Sequence, residues 1–194
     1  MKSIEEIKEG LKEILSEKRY EHSIGVMEKA IELAKIFGED VEKAAYVGLV
    51  HDIAKEISDE ESYKYMKQNN IEIEEIDEIE SIALHGKIGA HIAKKEYGFS
   101  DEMCDAIYYH TTARANMTLI DKIIFVADKI EDTRDYPEAN ELRTFFERSK
   151  NLDEYILYDI DYYTIPKMIE KKRIIHPNSI YARNDIISKL KPEN

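Results

Sequence analysis

Apolar residues recur at intervals of three and four along nearly the whole chain, and only 7 Gly and 4 Pro interrupt the pattern in 194 residues. That spacing stripes one face of an α-helix, whereas one face of a strand needs a period of two. The sequence therefore predicts an all-α fold, a compact bundle of about eight to ten helices. Ser3 with Glu6 and Ser58 with Glu61 have the spacing of a capping box, so helices are expected to begin near residues 4 and 59. Gly38 and Gly98 read as C-terminal stops. The expected helices cover about 4–17, 20–37, 41–56, 59–69, 75–97 with a break at Gly86, 101–110, 118–133, 138–148, 152–170 and 179–190.

No repeat, low-complexity stretch or linker rich in Pro, Gly or Ser divides the chain. One domain over 1–194 is expected, with a core of about 19–150 and C-terminal helices with a loop in 151–194. A domain of this length buries roughly 70% of the surface that its unfolded chain exposes, enough for one sizeable core. A mean hydropathy of -0.53 and the lack of an uncharged apolar run of ~18 residues predict no membrane span. The N-terminus, MKSIEEIKEG, lacks the apolar region of a secretory leader, and Cys104, the one cysteine, cannot form an intramolecular disulfide. A cytoplasmic protein is the expectation.

The 41 Asp+Glu outweigh 28 Lys+Arg, leaving a formal charge of -13 that repels nucleic-acid polymers and anionic lipid at long range. An anionic partner must therefore be small and met by a local cluster of cations. Glu72, Glu74, Glu75, Asp77, Glu78 and Glu80 carry -6 of that charge, and with Ile73, Ile76 and Ile79 they read as a solvated helix face. Residues 151–194 hold seven acids and seven bases, and the irregular tract 171–178 within them is the expected functional loop.

The anomaly lies in where histidines and aspartates fall. His22 shares its stripe with Val26, Ala30 and Leu33; His51 follows Ala44 and Val47; Asp52 follows Ala45 and Leu49; His110 follows Met103 and Ala106; Asp128 follows Ile120 and Ile124. Any one histidine so placed reads most simply as a core imidazole bonded to backbone. A carboxylate is different, because Asp is almost never fully buried unless paired, and no Lys or Arg shares the inward faces of these heptads. Imidazoles with two carboxylates form an N/O ligand set suited to Fe, Mn, Zn or Co, and a chain with one thiol does not suit a structural cysteine-type zinc site. The ligands come from separate helices, unlike an HExxH pair.

Other features carry less on their own. His85 precedes Gly86 in LHGKIGAH, where a glycine lets backbone or ligand approach closely, and His91 in the same stretch reads as an ordinary surface or supporting residue. HTTAR at 110–114 places Thr111, Thr112 and Arg114 directly after a candidate ligand, a composition suited to phosphate oxygens, and Lys55 stands one turn after His51. Taken alone, Lys55 and Arg114 read equally as solvated helix charge. No glycine-rich phosphate loop, GxSxG elbow or Cys/His nucleophile pair is present.

The order His22, His51-Asp52, Asp128 resembles the H...HD...D signature of HD-domain metal-dependent phosphohydrolases, and HDIAKE is a typical form of its central motif. LHGKIGA at 84–90, HTTAR at 110–114 and DKIIFVADKIEDTR at 121–134 narrow the resemblance to the bacterial YqeK-type subfamily of symmetrical diadenosine tetraphosphate hydrolases, over about Arg19 to Asn184. The resemblance implies that His22, His51, Asp52 and Asp128 hold one metal, with iron favoured and Asp52 placed to bridge a second ion. It implies that His85 and His110 either ligate that second ion or contact phosphates, and that Lys55, Thr111, Thr112, Arg114 and Arg134 bind the polyphosphate, with Asp52 and Lys55 in catalytic positions. The tract IIHPNSIYARN at 174–184, with His176, resembles the loop beside the nucleoside. The family usually reads HTTGR, so Ala113 departs from it where glycine would permit positive φ.

The implied reaction is attack of metal-activated water on phosphorus, giving two ADP, with a homodimer as the implied assembly. An HD nucleotidase or guanosine-polyphosphate hydrolase would use the same ligands, and a nucleotide-binding HD sensor module is the non-enzyme alternative.

Overall fold

The computed structural model describes residues 2–190, and no strand occurs among them. The helices are α1 (Ile4–Ile14), α2 (Glu17–Phe37), α3 (Val41–Val50), α4 (Asp59–Gln68), the short α5 (Glu75–Ile79), α6 (Leu84–Tyr97), α7 (Asp101–Tyr109), α8 (Leu119–Ile130), α9 (Pro137–Ser149), α10 (Leu152–Asp159), α11 (Ile165–Glu170) and α12 (Pro177–Leu190). A 3-10 turn (Ser81–Ala83) precedes α6, and a π-helical turn (Ile160–Thr164) joins α10 to α11. The fold is all-α, as the periodicity predicts. Both expected capping boxes form, and Thr118 with Asp121 makes another at the start of α8. Gly38 and Gly98 end α2 and α6 at φ of 80° and 71°, which glycine adopts at no steric cost.

Helix α8 is central, packing against α2, α3, α7, α9 and α10. Ile120, Ile123, Ile124, Phe125, Val126 and Ala127 are all buried there, so α8 meets neighbours around most of its circumference. Helices α2 and α3 pair closely, as do α6 and α7. Two helix N-terminal halves, of α2 and α6, and three helix C-terminal ends, of α3, α7 and α8, thereby bring polar residues to one end of this core.

Three boundaries differ from expectation, each for a physical reason. Helix α3 stops at Val50, and residues 51–57 continue as turns closed by Ile53 N to Val50 O and Lys55 N to Asp52 O, which carries His51 and Asp52 over the end of the helix. The expected helix 75–97 breaks at Glu80, whose φ of -139° is extended, and not at Gly86. Gly86 lies inside α6, where a Cβ would stand 2.6 Å from the Tyr108 carbonyl oxygen; it allows α6 and the end of α7 to touch. The run 152–170 is interrupted by its π turn.

The acidic segment is only in part the solvated face that its charge suggests, with Glu72, Glu74, Glu75 and Glu78 exposed. Asp77 and Glu80 are buried. Lys87 Nζ of α6 donates to Glu74 at 2.5 Å and Asp77 at 2.6 Å, and Arg173 from the C-terminal tract pairs with Glu80 through two nitrogens. The bases absent from 72–80 are supplied by Lys87 in the next long helix and by Arg173, distant in sequence, so the acids tie α5 to α6 and to the tract before α12.

Candidate metal centre

His22 lies in the second turn of α2, His51 and Asp52 just past α3, His85 in the first turn of α6, His110 at the end of α7 and Asp128 in the last turn of α8. All six are buried. His22, His51 and Asp52 present ligand atoms within 4.8 Å of one another, and so do Asp52, His85 and His110. Asp52 belongs to both groups. Asp128 Oδ1 joins the first, 3.1 Å from His22 Nε2 and 3.7 Å from His51 Nε2. In the second, Asp52 Oδ1 is 3.4 Å from His85 Nε2 and 3.3 Å from His110 Nε2, and the two Nε2 atoms are 3.1 Å apart.

The protonation of the rings can be read from their other nitrogens. Nδ1 of His51 and of His110 each donates at 2.7 Å to a backbone carbonyl three residues earlier, Gly48 and Ile107. Nε2 is then the lone-pair nitrogen of each neutral ring. His22 Nε2, His51 Nε2 and Asp52 Oδ1 are buried without a hydrogen-bond partner. Converging acceptors with too few donors are costly in a protein interior, and a cation resolves that cost. The N/O donor set therefore fits a transition metal in each group.

Local electrostatics agree. Burial opposes charge on Asp52, yet the imidazoles of His51, His110 and His85 hold its carboxyl well below the usual range. Asp128 is likewise held low against burial by Arg134 and Lys129, with His22 and His51 beside it. Burial pushes the His51 and His85 rings toward neutrality. For His22 burial has the same sense, but Asp128 and Glu131 outweigh it and raise the pKa. Burial lowers Lys55 although Asp52 and Asp128 pull the other way.

The remaining expected residues divide. Lys55 Nζ is 3.1 Å from His85 Nε2, and the Thr111 hydroxyl is 3.1 Å from both His85 Nε2 and His110 Nε2. Arg134 donates to Asp128 Oδ1 at 2.6 Å. A cavity of about 180 Å³ opens beside Lys55 and His85, bounded also by Asp59, Ser62 and Ser81. Arg114 instead joins Asp121 and Asp105, both at 2.8 Å, and lies over the Tyr109 ring. Thr112 is buried, its hydroxyl bonded to the Ala113 carbonyl and its own carbonyl to Ser179 of α12. His176 accepts from Asn178 N at 3.2 Å at the start of α12, beside the buried acids of the 74–80 segment. His91 packs its ring edge against Tyr65, and Cys104 is buried in the core.

The HD-domain family model matches residues 19–133, more than half of the chain and every one of the six clustered residues. The chain belongs to the HD-domain family. It is similar to proteins named symmetrical bis(5'-nucleosyl)-tetraphosphatase: 37% identical to that of Staphylococcus aureus, covering 94% of this chain and 93% of the relative, and 35% identical to that of Bacillus subtilis, covering 92% and 94%. Among solved structures it resembles a predicted HD superfamily hydrolase involved in NAD metabolism from Clostridium acetobutylicum, with a TM-score of 0.90 and 40% identity over 97% of this chain and 99% of that one.

Three HD-domain residues at the cluster escaped the sequence reading. Arg19 Nη1 donates to Asp52 Oδ2 at 2.6 Å, Lys129 Nζ is 3.6 Å from Asp128 Oδ2, and Glu131 bonds His22 Nδ1 at 3.0 Å. The cations that Asp52 and Asp128 require thus include guanidinium groups. A signal was present: Arg19 is three residues before His22 and Glu131 three after Asp128, each one turn along the same helical face.

Proposed function

We propose that this HD domain hydrolyses diadenosine tetraphosphate symmetrically to two ADP, with water attacking phosphorus. The observation that carries the reading is the pair of buried, partner-poor ligand groups joined at Asp52, next to a cavity that Lys55 helps to line. The names of the relatives from S. aureus and B. subtilis support the substrate assignment.

In this reading His22, His51, Asp52 and Asp128 hold one ion, and Asp52, His85 and His110 hold a second. Iron is the ion proposed, with Mn, Zn and Co compatible with the same donors. A bound metal supplies Lewis acidity toward phosphoryl oxygens and lowers the pKa of water toward ~7. The chain's own part is positional. Arg19 and Arg134 hold Asp52 and Asp128 in place while adding positive charge at the cluster. Lys55, fixed against His85, provides an ammonium beside the cavity where charge spreads over the transferring phosphoryl group, and the Thr111 hydroxyl offers a donor there. No side chain acts as a nucleophile, so no covalent intermediate is required.

The proposal places the protein in the cytoplasm as a homodimer. No helix among the described residues is long and apolar enough to cross a membrane. The deciding assay supplies Fe(II), Mn(II), Co(II) or Zn(II) to purified protein with diadenosine tetraphosphate and separates products by chromatography. Two ADP and no AMP are expected. Orthophosphate from a nucleoside monophosphate, or pyrophosphate from a guanosine polyphosphate, with no ADP from the dinucleotide, would replace this reading with one of the other hydrolases. Nucleotide binding without turnover would point to a sensor.

A further inference from the structure

Glu131 closes the C-terminus of α8, is wholly buried, and among the described residues has no lysine or arginine within hydrogen-bonding distance, Arg134 Nε standing 3.9 Å away. Three donors converge on its carboxylate instead. These are Thr133 N at 2.6 Å, the Thr133 hydroxyl at 2.8 Å and His22 Nδ1 at 3.0 Å. We infer that Glu131 is a positioning residue that keeps the proton of His22 on Nδ1 and so reserves the Nε2 lone pair for the metal.

The geometry around it supports that role. For His51 and His110 the same tautomer is set locally, by a carbonyl three residues back. His22 sits inside the continuous helix α2, whose carbonyls are engaged in the helix itself, so its Nδ1 partner must arrive from outside. Glu131 comes from 109 residues away. Room is made by Gly25, three residues after His22, where a Cβ would lie 2.4 Å from Glu131 Oε2. The loop is clamped from α9 by Arg143, which donates to the carbonyls of Ile130 at 2.9 Å and of Glu131 and Arg134 at 2.6 Å. A carboxylate that orients a ligating imidazole raises its basicity and fixes its direction, and losing it typically weakens metal affinity by about 10- to 100-fold.

The inference rests on His22 being a metal ligand, and the test separates the two ideas. Glu131→Gln keeps the shape but offers one acceptor oxygen to three donors. Zn(II) affinity of the apo-protein is measured by competition with a chromogenic chelator, and the His22 tautomer by 15N NMR of histidine-labelled protein, assigned with His22→Gln. Expected are a proton on Nδ1 in the wild type, mixed tautomers in the variant and Zn(II) binding about 10- to 100-fold weaker, with the thermal midpoint nearly retained. Unchanged affinity and tautomer in folded Glu131→Gln would overturn the role of Glu131 alone. A wild-type protein that takes up no Zn(II) would overturn the metal reading and this inference with it. Should Glu131→Gln fail to fold, Thr133→Val is read instead: a smaller affinity loss in the same direction supports the role, and unchanged affinity refutes it.

Discussion

Lys87 Nζ lies 2.6 Å from Asp77 Oδ2, with the two side chains only 2% and 1% exposed. The pair locks α5 against α6 two residues beyond His85. Removing one partner strands the other charge in the interior, which typically costs about 3–5 kcal/mol. Lys87→Met should therefore lower the thermal midpoint by about 6–20 °C for a domain of this size, as read by circular dichroism. Lys87→Met with Asp77→Leu should recover most of that loss, since an apolar pair of similar volume tolerates burial. A single variant as stable as the wild type would show that water reaches the pair.

Asp52→Ala and Asp128→Ala should each yield folded, metal-poor and inactive protein. Asp52 contributes to both ligand groups and Asp128 to one, so Asp52→Ala should lose more metal per chain by elemental analysis. Activity should fall by more than the about 100-fold typical of losing a hydrogen-bond partner of a ligand. Full activity with metal retained in either variant would remove that residue from the site.

Arg114 separates a structural from a substrate role. Its guanidinium is engaged by Asp105 and by buried Asp121, which also caps α8. Arg114→Gln should cost about 1–3 kcal/mol of stability by leaving Asp121 under-satisfied, while the KM for diadenosine tetraphosphate stays within about twofold of wild type. A stable variant with a KM raised tenfold would return Arg114 to the phosphates.

Ala113 has φ of 58° and is fully buried, so it keeps the left-handed conformation that glycine would take. The conformation costs a residue with a Cβ about 1–2 kcal/mol, against roughly 0.5–1 kcal/mol for the extra backbone entropy of glycine. Ala113→Gly should accordingly raise stability by about 0.5–1 kcal/mol, or about 1–4 °C in Tm. A lower Tm would mean that packing of the Ala113 methyl outweighs the backbone strain.

Burial pushes the Cys104 thiol up to about 11. Below that pH the neutral thiol dominates, so at pH about 8 iodoacetamide should label native Cys104 roughly 100-fold more slowly than an ordinary thiol, with the rate rising about tenfold per pH unit. Labelling as fast as in urea-unfolded protein would contradict the burial.

The site was legible wherever a residue's helical face decides its environment. His22, His51, Asp52, His110 and Asp128 lie on apolar stripes, and packing those stripes together brings the five to one place. Arg19 and Glu131 share faces with His22 and Asp128, but their partners, like those of Arg114, were not readable that way. The long side chains of these three residues reach across to groups on other helices, and a helical wheel reports the face a side chain leaves from but not where it ends.

The acidic segment shows the same division at the level of the fold. The local sequence alone determined the all-α class, the caps at Ser3 and Ser58, the glycine stops and the inward set of imidazoles and carboxylates, because each depends on neighbours within about two turns. Only the tertiary structure decided that Asp77 and Glu80 are internal partners of Lys87 and Arg173, that α3 ends at Val50, and that Glu131 faces His22. Those outcomes depend on charges and donors brought together from up to 109 residues apart, where a buried ion finds its counter-ion only once the chain has folded around both.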